Sequence, residues 1–174
     1  MNFKFKSDEA KALYNKALEI FEIVDTIVDL IPDDDTHNTK FGQLMQESAM
    51  CILPKIVAAE SGKLYDIRME CAALIRMYGN DINKTVIMLN ALDCPFKEYL
   101  RLVSSALDEF RRLFRKWLAT FDTKLAIEDE WGLFNPVGFD PNTIDEYYLL
   151  NALEEEDDDI FGEDIDLFDS TEGG

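Results

Sequence analysis

The residues best suited to bind a ligand are cations that recur on one side of a predicted helix. At about 100° per residue, five of them fall within a sector of about 100°, with Lys116 at its margin. These five residues are Lys97, Arg101, Arg111, Arg112 and Arg115. The only acid inside the sector is Asp108. Such a row can hold phosphates by charge and by bidentate arginine contacts, which predicts nucleic-acid binding.

Helix three supplies a second, weaker group of cations, namely Lys63, Arg68 and Arg76. The alternative for the main row is a solvated helix face on which ion pairs form between neighbouring turns. The spacing alone leaves both interpretations open.

The sequence offers little for catalysis. His37 is the single histidine and lies beside the acids 33–35 in a polar loop. That loop lacks the glycine and distal glutamate of an EF-hand, and one histidine without cysteine partners makes a poor zinc site. No serine or cysteine has another candidate base, and no phosphate-binding glycine motif is present. We therefore expect a non-enzymatic protein with no catalytic residue, no metal and no cofactor.

The charges are segregated along the chain. All 17 Lys and Arg lie between Lys4 and Lys124, together with 19 of the 36 acids, whereas residues 125–174 hold the other 17 acids and no base. Ile160, Phe161, Ile165, Leu167 and Phe168 stand among the acids of the final segment. This segment has two interpretations: a solubilising tail, or an acidic-hydrophobic element that docks on a basic, partly apolar groove.

Four long amphipathic segments must position these side chains. Ser7 predicts the N-cap of helix one, which Pro32 ends; helix two begins near Asn38 or Thr39, bends at Pro54 and ends at Gly62. The apolar series of helix three keeps its phase across 79–80, which favours one helix of about 28 residues over two pieces.

Helix four is predicted to begin around residues 93–95, with Pro95 in its first turn. Its core side is the most aromatic in the chain: Phe96, Leu100, Val103, Leu107, Phe110, Phe114, Trp117 and Phe121. Short connections between four such helices predict an all-α fold, an antiparallel up-down four-helix bundle.

Three parts are expected: a bundle over 1–124, a surface-docked loop and short helix over 125–153, and a disordered acidic tail over 154–174. Trp131, Leu133, Phe134 and Phe139 should hold the loop to the surface. Thr143 and Glu146 fit a capping box for the short helix. The N-terminus lacks the apolar core of a signal peptide, and no run is long enough to cross a bilayer, so we expect a cytoplasmic protein that does not enter the membrane.

Several segments resemble a known bacterial four-helix-bundle family. They are Leu30-Ile31-Pro32, Phe41-Gly42-Gln43-Leu44 at the start of helix two, LYDIRMECAALIR in helix three and YLRLVSSALDEFRRLFRKW ending at Trp117. This order is similar to that in the accessory variability determinants of diversity-generating retroelements and in the proteins encoded in 23S rRNA intervening sequences. The resemblance covers roughly residues 8–120. The acidic extension and the lack of net positive charge in the body depart from the family pattern.

The resemblance implies a homopentamer of bundles that associates with a retroelement reverse transcriptase and with its template RNA or cDNA. It implies no catalytic residue and assigns nucleic-acid binding to the basic surface. The alternative function is a protein-interaction scaffold whose acidic tail docks on a basic partner, without nucleic-acid binding.

Overall fold

The computed structural model describes residues 4–32, 34–92 and 94–160, with the backbone alone for 155–160. Within these ranges the chain forms five α-helices and no β-strand, so the predicted all-α class is confirmed. The helices are α1 (Asp8–Leu30), α2 (Thr36–Ser61), α3 (Tyr65–Ala91), α4 (Lys97–Leu118) and α5 (Glu146–Ile160). Short 3₁₀ turns occupy Thr123–Leu125 and Pro141–Thr143.

Side-chain caps fix the starts of the first two helices. As predicted, Ser7 caps α1, its Oγ accepting a hydrogen bond from the Ala10 amide at 3.1 Å. Helix α2 starts at Thr36, earlier than the predicted position near residue 38. The reason is that the Asp35 carboxylate accepts from the Asn38 amide at 3.2 Å and so caps a turn that the sequence reading assigned to the loop.

The interiors of α2 and α3 are continuous. Helix α2 runs through Pro54 without a break, and Gly62 follows its last residue. Helix α3 runs through Gly79 and Asn80, which confirms one helix over two pieces. Helix α4 begins at Lys97, so Pro95 lies before the helix and not in its first turn, a correction of about two residues.

The four long helices share one apolar core. Helix α2 packs against α1 and α3, while α4 packs against α1 and less closely against α3. The core includes Leu13, Ile20, Met45, Ile56, Ile75, Leu89, Leu107 and Trp117. Cys71 and Cys94 are buried free thiols and Cys51 is a half-buried one. Burial raises the pKa of the Cys71 thiol, because the thiolate loses hydration.

The segment after α4 differs from expectation. Trp131 is 93% exposed and Leu133 is also exposed, so these two side chains do not hold the loop to the surface. The Asp129 carboxylate accepts from the amides of Trp131, Leu133 and Phe134, which folds the chain into a local turn that leaves both side chains outside. These bonds lower the pKa of Asp129, the bond from Phe134 most of all.

Asp145 caps helix α5, since its carboxylate accepts a hydrogen bond from the Tyr148 amide at 3.0 Å. Thr143 belongs to the preceding 3₁₀ turn, so the predicted capping box of Thr143 and Glu146 does not form. The helix continues to Ile160, beyond the expected boundary at residue 153. The rest of the predicted tail, 161–174, lies outside the described residues. No helix in the described part of the chain is long and apolar enough to cross a bilayer.

Candidate nucleic-acid interface

The aromatic side of α4 faces the core and thereby orients the opposite side outward. Trp117 is fully buried and Phe110 and Phe121 nearly so. The Trp117 and Phe121 rings meet edge to face with centroids 4.7 Å apart. Because aromatic burial is strongly favourable, this row fixes the rotation of α4 about its axis.

Six cations form what we call the α4 basic face: Lys97, Arg101, Arg111, Arg112, Arg115 and Lys116. All six side chains are exposed. Arg101, Arg112 and Arg115 form no ion pair with any described residue. Their guanidinium groups are therefore accessible to an external anion.

Two carboxylates of α4, those of Asp108 and Glu109, lie near the cations of the α4 basic face. Asp108 accepts from Arg111 at 2.6 Å, an exposed pair that adds little stability. Glu109 points toward α1, where its carboxylate lies 2.8 Å from the Lys16 ammonium. This hydrogen bond lowers the pKa of Glu109 and, together with the one to Glu19, raises the pKa of Lys16. Glu109 thus ties α4 to α1. The charge of Arg112 also lowers the pKa of Glu109, but the two side chains form no ion pair.

Arg68 of the weaker group is committed to the fold. Its guanidinium donates to Glu60 at 2.7 Å and lies over the Phe121 ring, 4.0 Å from the centroid. The same Glu60 oxygen accepts from the Trp117 indole at 2.9 Å. Burial lowers the pKa of Arg68, and the Glu60 charge opposes that shift. We call these residues the Glu60 cluster; within it Arg68 neutralises a buried carboxylate.

The other two members of the weaker group have different surroundings. Lys63 lies in the connection between α2 and α3 and donates to the backbone carbonyl of Ala152 in α5. Arg76 is exposed on α3 and faces the α4 cations. The sequence-predicted residues therefore divide into the α4 basic face with Arg76 beside it, and two cations that contact other parts of the chain.

A groove of about 230 Å³ lies between α3 and α4, which we call the α3–α4 groove. It is lined by Ile75, Arg76, Gly79, Asn80, Leu107, Phe110, Arg111, Phe114 and Arg115. The apolar side chains form its floor, and three arginines flank it. The groove lies where two neighbouring long helices are packed least closely, and Phe110 and Phe114 contribute to its lining. Sequence reasoning missed this groove because periodicity within one helix does not show which cations of another helix lie beside it.

His37 is exposed in the first turn of α2. Across the described ranges, no group of three or more His, Cys, Asp or Glu side chains could hold a metal ion.

Comparisons with known proteins do not identify a family. No family model matches the chain, and no curated protein or solved structure is significantly similar to it. The resemblance to the four-helix-bundle family of retroelement accessory proteins therefore stays a prediction.

Proposed function

We propose that this chain is a non-catalytic accessory protein that binds nucleic acid through the α4 basic face. One observation supports this most strongly: Arg101, Arg112 and Arg115 project from a helix whose other side is anchored in the core, and no described carboxylate pairs with them. Arginines placed at fixed positions along one helix can contact the repeating phosphates of a backbone without reading its sequence.

The proposed architecture is an antiparallel up-down four-helix bundle made of α1 to α4. Its support is the cycle of neighbours, in which α1 contacts α2, α2 contacts α3, and α4 contacts both α3 and α1. Short connections between long helices favour the same arrangement.

The proposed setting, drawn from the family resemblance, is a cytoplasmic homopentamer that holds template RNA or cDNA beside a retroelement reverse transcriptase. Exposed apolar side chains give self-association a physical basis. Ile87, Met88 and Leu102 are 59%, 52% and 53% exposed, and they flank the connection between α3 and α4.

The test compares two triple variants of equal charge. The first is Arg101→Gln/Arg112→Gln/Arg115→Gln, and the control is Lys11→Gln/Lys40→Gln/Lys84→Gln, whose lysines are exposed on α1, α2 and α3. Filter binding with single-stranded RNA, single-stranded DNA and an RNA–DNA hybrid is measured between about 50 and 200 mM salt. We expect the arginine variant to lose about tenfold or more in affinity, and its salt slope to fall by about two.

The control variant should keep wild-type affinity within about twofold, because the two proteins differ in where charge is lost and not in how much. Equal losses in both variants would show non-specific attraction and would contradict the assignment to α4. Absence of wild-type binding to all three nucleic acids at low salt would contradict the function itself.

The second candidate is a scaffold whose acidic extension captures a basic protein. The exposed Trp131, Tyr147 and Leu150 among the acids of 125–154 favour it, because aromatic anchors commonly carry protein interfaces. Affinity capture with the full chain, repeated after Trp131→Ser/Tyr147→Ser, tests the scaffold. A basic protein that the wild type captures without nucleic acid and the variant loses supports the scaffold, provided that the wild type binds no RNA or DNA at low salt.

A further inference from the structure

The α3–α4 groove has a composition that the nucleic-acid proposal does not use. Its floor is apolar, formed in part by Ile75 and Leu107, while Arg76, Arg111 and Arg115 stand at its edges. Phosphodiester backbones need cations but no apolar floor. A ligand that alternates large apolar side chains with carboxylates would satisfy both parts of the groove.

We infer that the occupant of this groove is the C-terminal segment of the chain itself, residues 161–174. That segment carries five acids and no base, with Phe161, Ile165, Leu167 and Phe168 between them. Its apolar side chains match the floor and its carboxylates match the three arginines. Docking of this segment does not require the proposed function. One consequence does rest on that function: the bound segment covers Arg111 and Arg115 and so competes with nucleic acid for them.

The cations of the groove are open to such a ligand. Within the described residues, Arg76 and Arg115 form no ion pair, and Arg111 pairs only with Asp108, whose side chain is 68% exposed. An exposed pair of this kind is weak and can exchange for a tail carboxylate at little cost. The groove therefore has two arginines, Arg76 and Arg115, that form no ion pair with a described residue, and a third, Arg111, whose weak ion pair can be exchanged.

Two contacts anchor the first half of α5 to the body of the protein. Tyr148 of α5 donates to Asp122 at 2.7 Å, and Lys63 donates to Ala152, so α5 is held near the C-terminal end of α4. Arg115 lies within one turn of that end, Leu118. Phe168 lies eight residue steps beyond Ile160, so extended chain allows at most about 26 Å between them.

Gly79 gives the groove part of its width. A Cβ built at this position would meet nothing within 4 Å, so the space beside α3 is open. A larger side chain there would narrow the groove without removing any charge. This position allows shape and charge to be tested separately.

The experiment is photocrosslinking in the full-length protein. A benzophenone amino acid replaces Phe168, and mass spectrometry maps its attachment; a second protein carries the same group at the exposed Trp131 as control. We expect the probe at 168 to label peptides that contain residues 75–80 and 107–115, and the probe at 131 not to. Attachment of the first probe elsewhere would overturn the inference.

Three variants identify the cause of the labelling. Arg76→Gln/Arg115→Gln should lower the yield about fivefold or more, and Gly79→Leu should lower it with all charges retained. The equal-charge control Arg101→Gln/Arg112→Gln, outside the groove lining, should change it by less than about twofold. Equal effects of the two arginine pairs would show that general attraction, and not the groove, holds the segment.

The consequence for nucleic acid is measured separately. Phe161→Ser/Phe168→Ser should raise RNA affinity at low salt by about threefold or more, because the competing ligand is weakened while every arginine remains. If the crosslinks form and no RNA binds, the docking inference stands and the proposed function fails. If RNA binds and the crosslinks do not form in the groove, the proposed function stands and the docking inference fails.

Discussion

At the scale of single residues, the arginines of this chain divide by what surrounds them. Spacing within α4 was sufficient to predict that Arg101, Arg112 and Arg115 share one exposed side, because helix periodicity determines relative direction. The fate of Arg68 could not be predicted in this way. Its partner Glu60 lies on a different helix, and Phe121 follows a third.

Replacement of Arg68 should reveal the buried charge of Glu60. Because Glu60 is only 1% exposed, Arg68→Met leaves its carboxylate unpaired in the interior, and we expect a loss of about 3 kcal/mol or more in the free energy of unfolding. The double variant Glu60→Gln/Arg68→Met should recover about half of that loss, since the amide oxygen still accepts from Trp117. Urea titration followed by circular dichroism measures both, and equal stability of the single and double variants would contradict a charge penalty.

The ion pair between Lys16 of α1 and Glu109 of α4 should depend on pH. The Lys16 hydrogen bond lowers the pKa of Glu109 below its ordinary value of 4.5. The interaction therefore contributes fully to the free energy of unfolding at pH values above 4.5, and this contribution is lost as the pH falls through the pKa of the folded state. Glu109→Gln should therefore lower the urea midpoint at pH 7 and have progressively less effect below about pH 4.

Glu19→Gln is the control for that measurement, because Glu19 bonds the same ammonium from within α1 and ties no two helices together. We expect it to shift the midpoint less than Glu109→Gln at pH 7. A Glu109→Gln effect of the same size at pH 3 and pH 7 would show that packing, and not charge, holds this contact.

At the scale of elements, apolar periodicity predicted the existence and order of the four long helices, and the unbroken phase across Gly79 predicted a single α3. The element ends were less predictable. Caps decide them, and Asp35 and Asp145 were each one of several neighbouring polar residues able to cap. The turn around Asp129 was not predicted because its three backbone bonds leave no periodic pattern.

Two helical glycines should respond differently to alanine. Gly79 has open space around it, so Gly79→Ala should stabilise α3 by about 0.5–1 kcal/mol through reduced backbone entropy of the unfolded chain. At Gly42 a Cβ would lie 2.8 Å from the Ile31 side chain, so crowding between α1 and α2 should cancel some or all of that gain. Thermal unfolding of both variants measures this, and equal gains would contradict the close approach at Gly42.

At the scale of the whole molecule, the charges are divided along the chain: every Lys and Arg lies between Lys4 and Lys124, and nearly half of the acids follow Lys124. Composition was enough to predict this division. It did not show where the two parts meet, since the contacts of Lys63 with Ala152 and of Asp122 with Tyr148 join residues far apart in sequence.

Self-association should depend on the apolar side chains around the α3–α4 connection. Ile87→Lys places a charge on a side chain that is 59% exposed, and we expect the proposed oligomer to dissociate, with a large fall in mass by light scattering. Met50→Lys is the matched control, because Met50 is similarly exposed on α2 and distant from that connection in sequence. Equal masses of wild type and Ile87→Lys would contradict this interface.

The two tryptophans of this chain occupy opposite environments. Trp117 is buried with its indole bonded to a carboxylate, whereas Trp131 stands almost wholly in solvent. Their emission should accordingly separate into a blue-shifted component shielded from iodide and a red-shifted component that iodide quenches readily. The protein thus carries an intrinsic optical reporter for the helical body and another for the acidic extension, and each can be followed without a label.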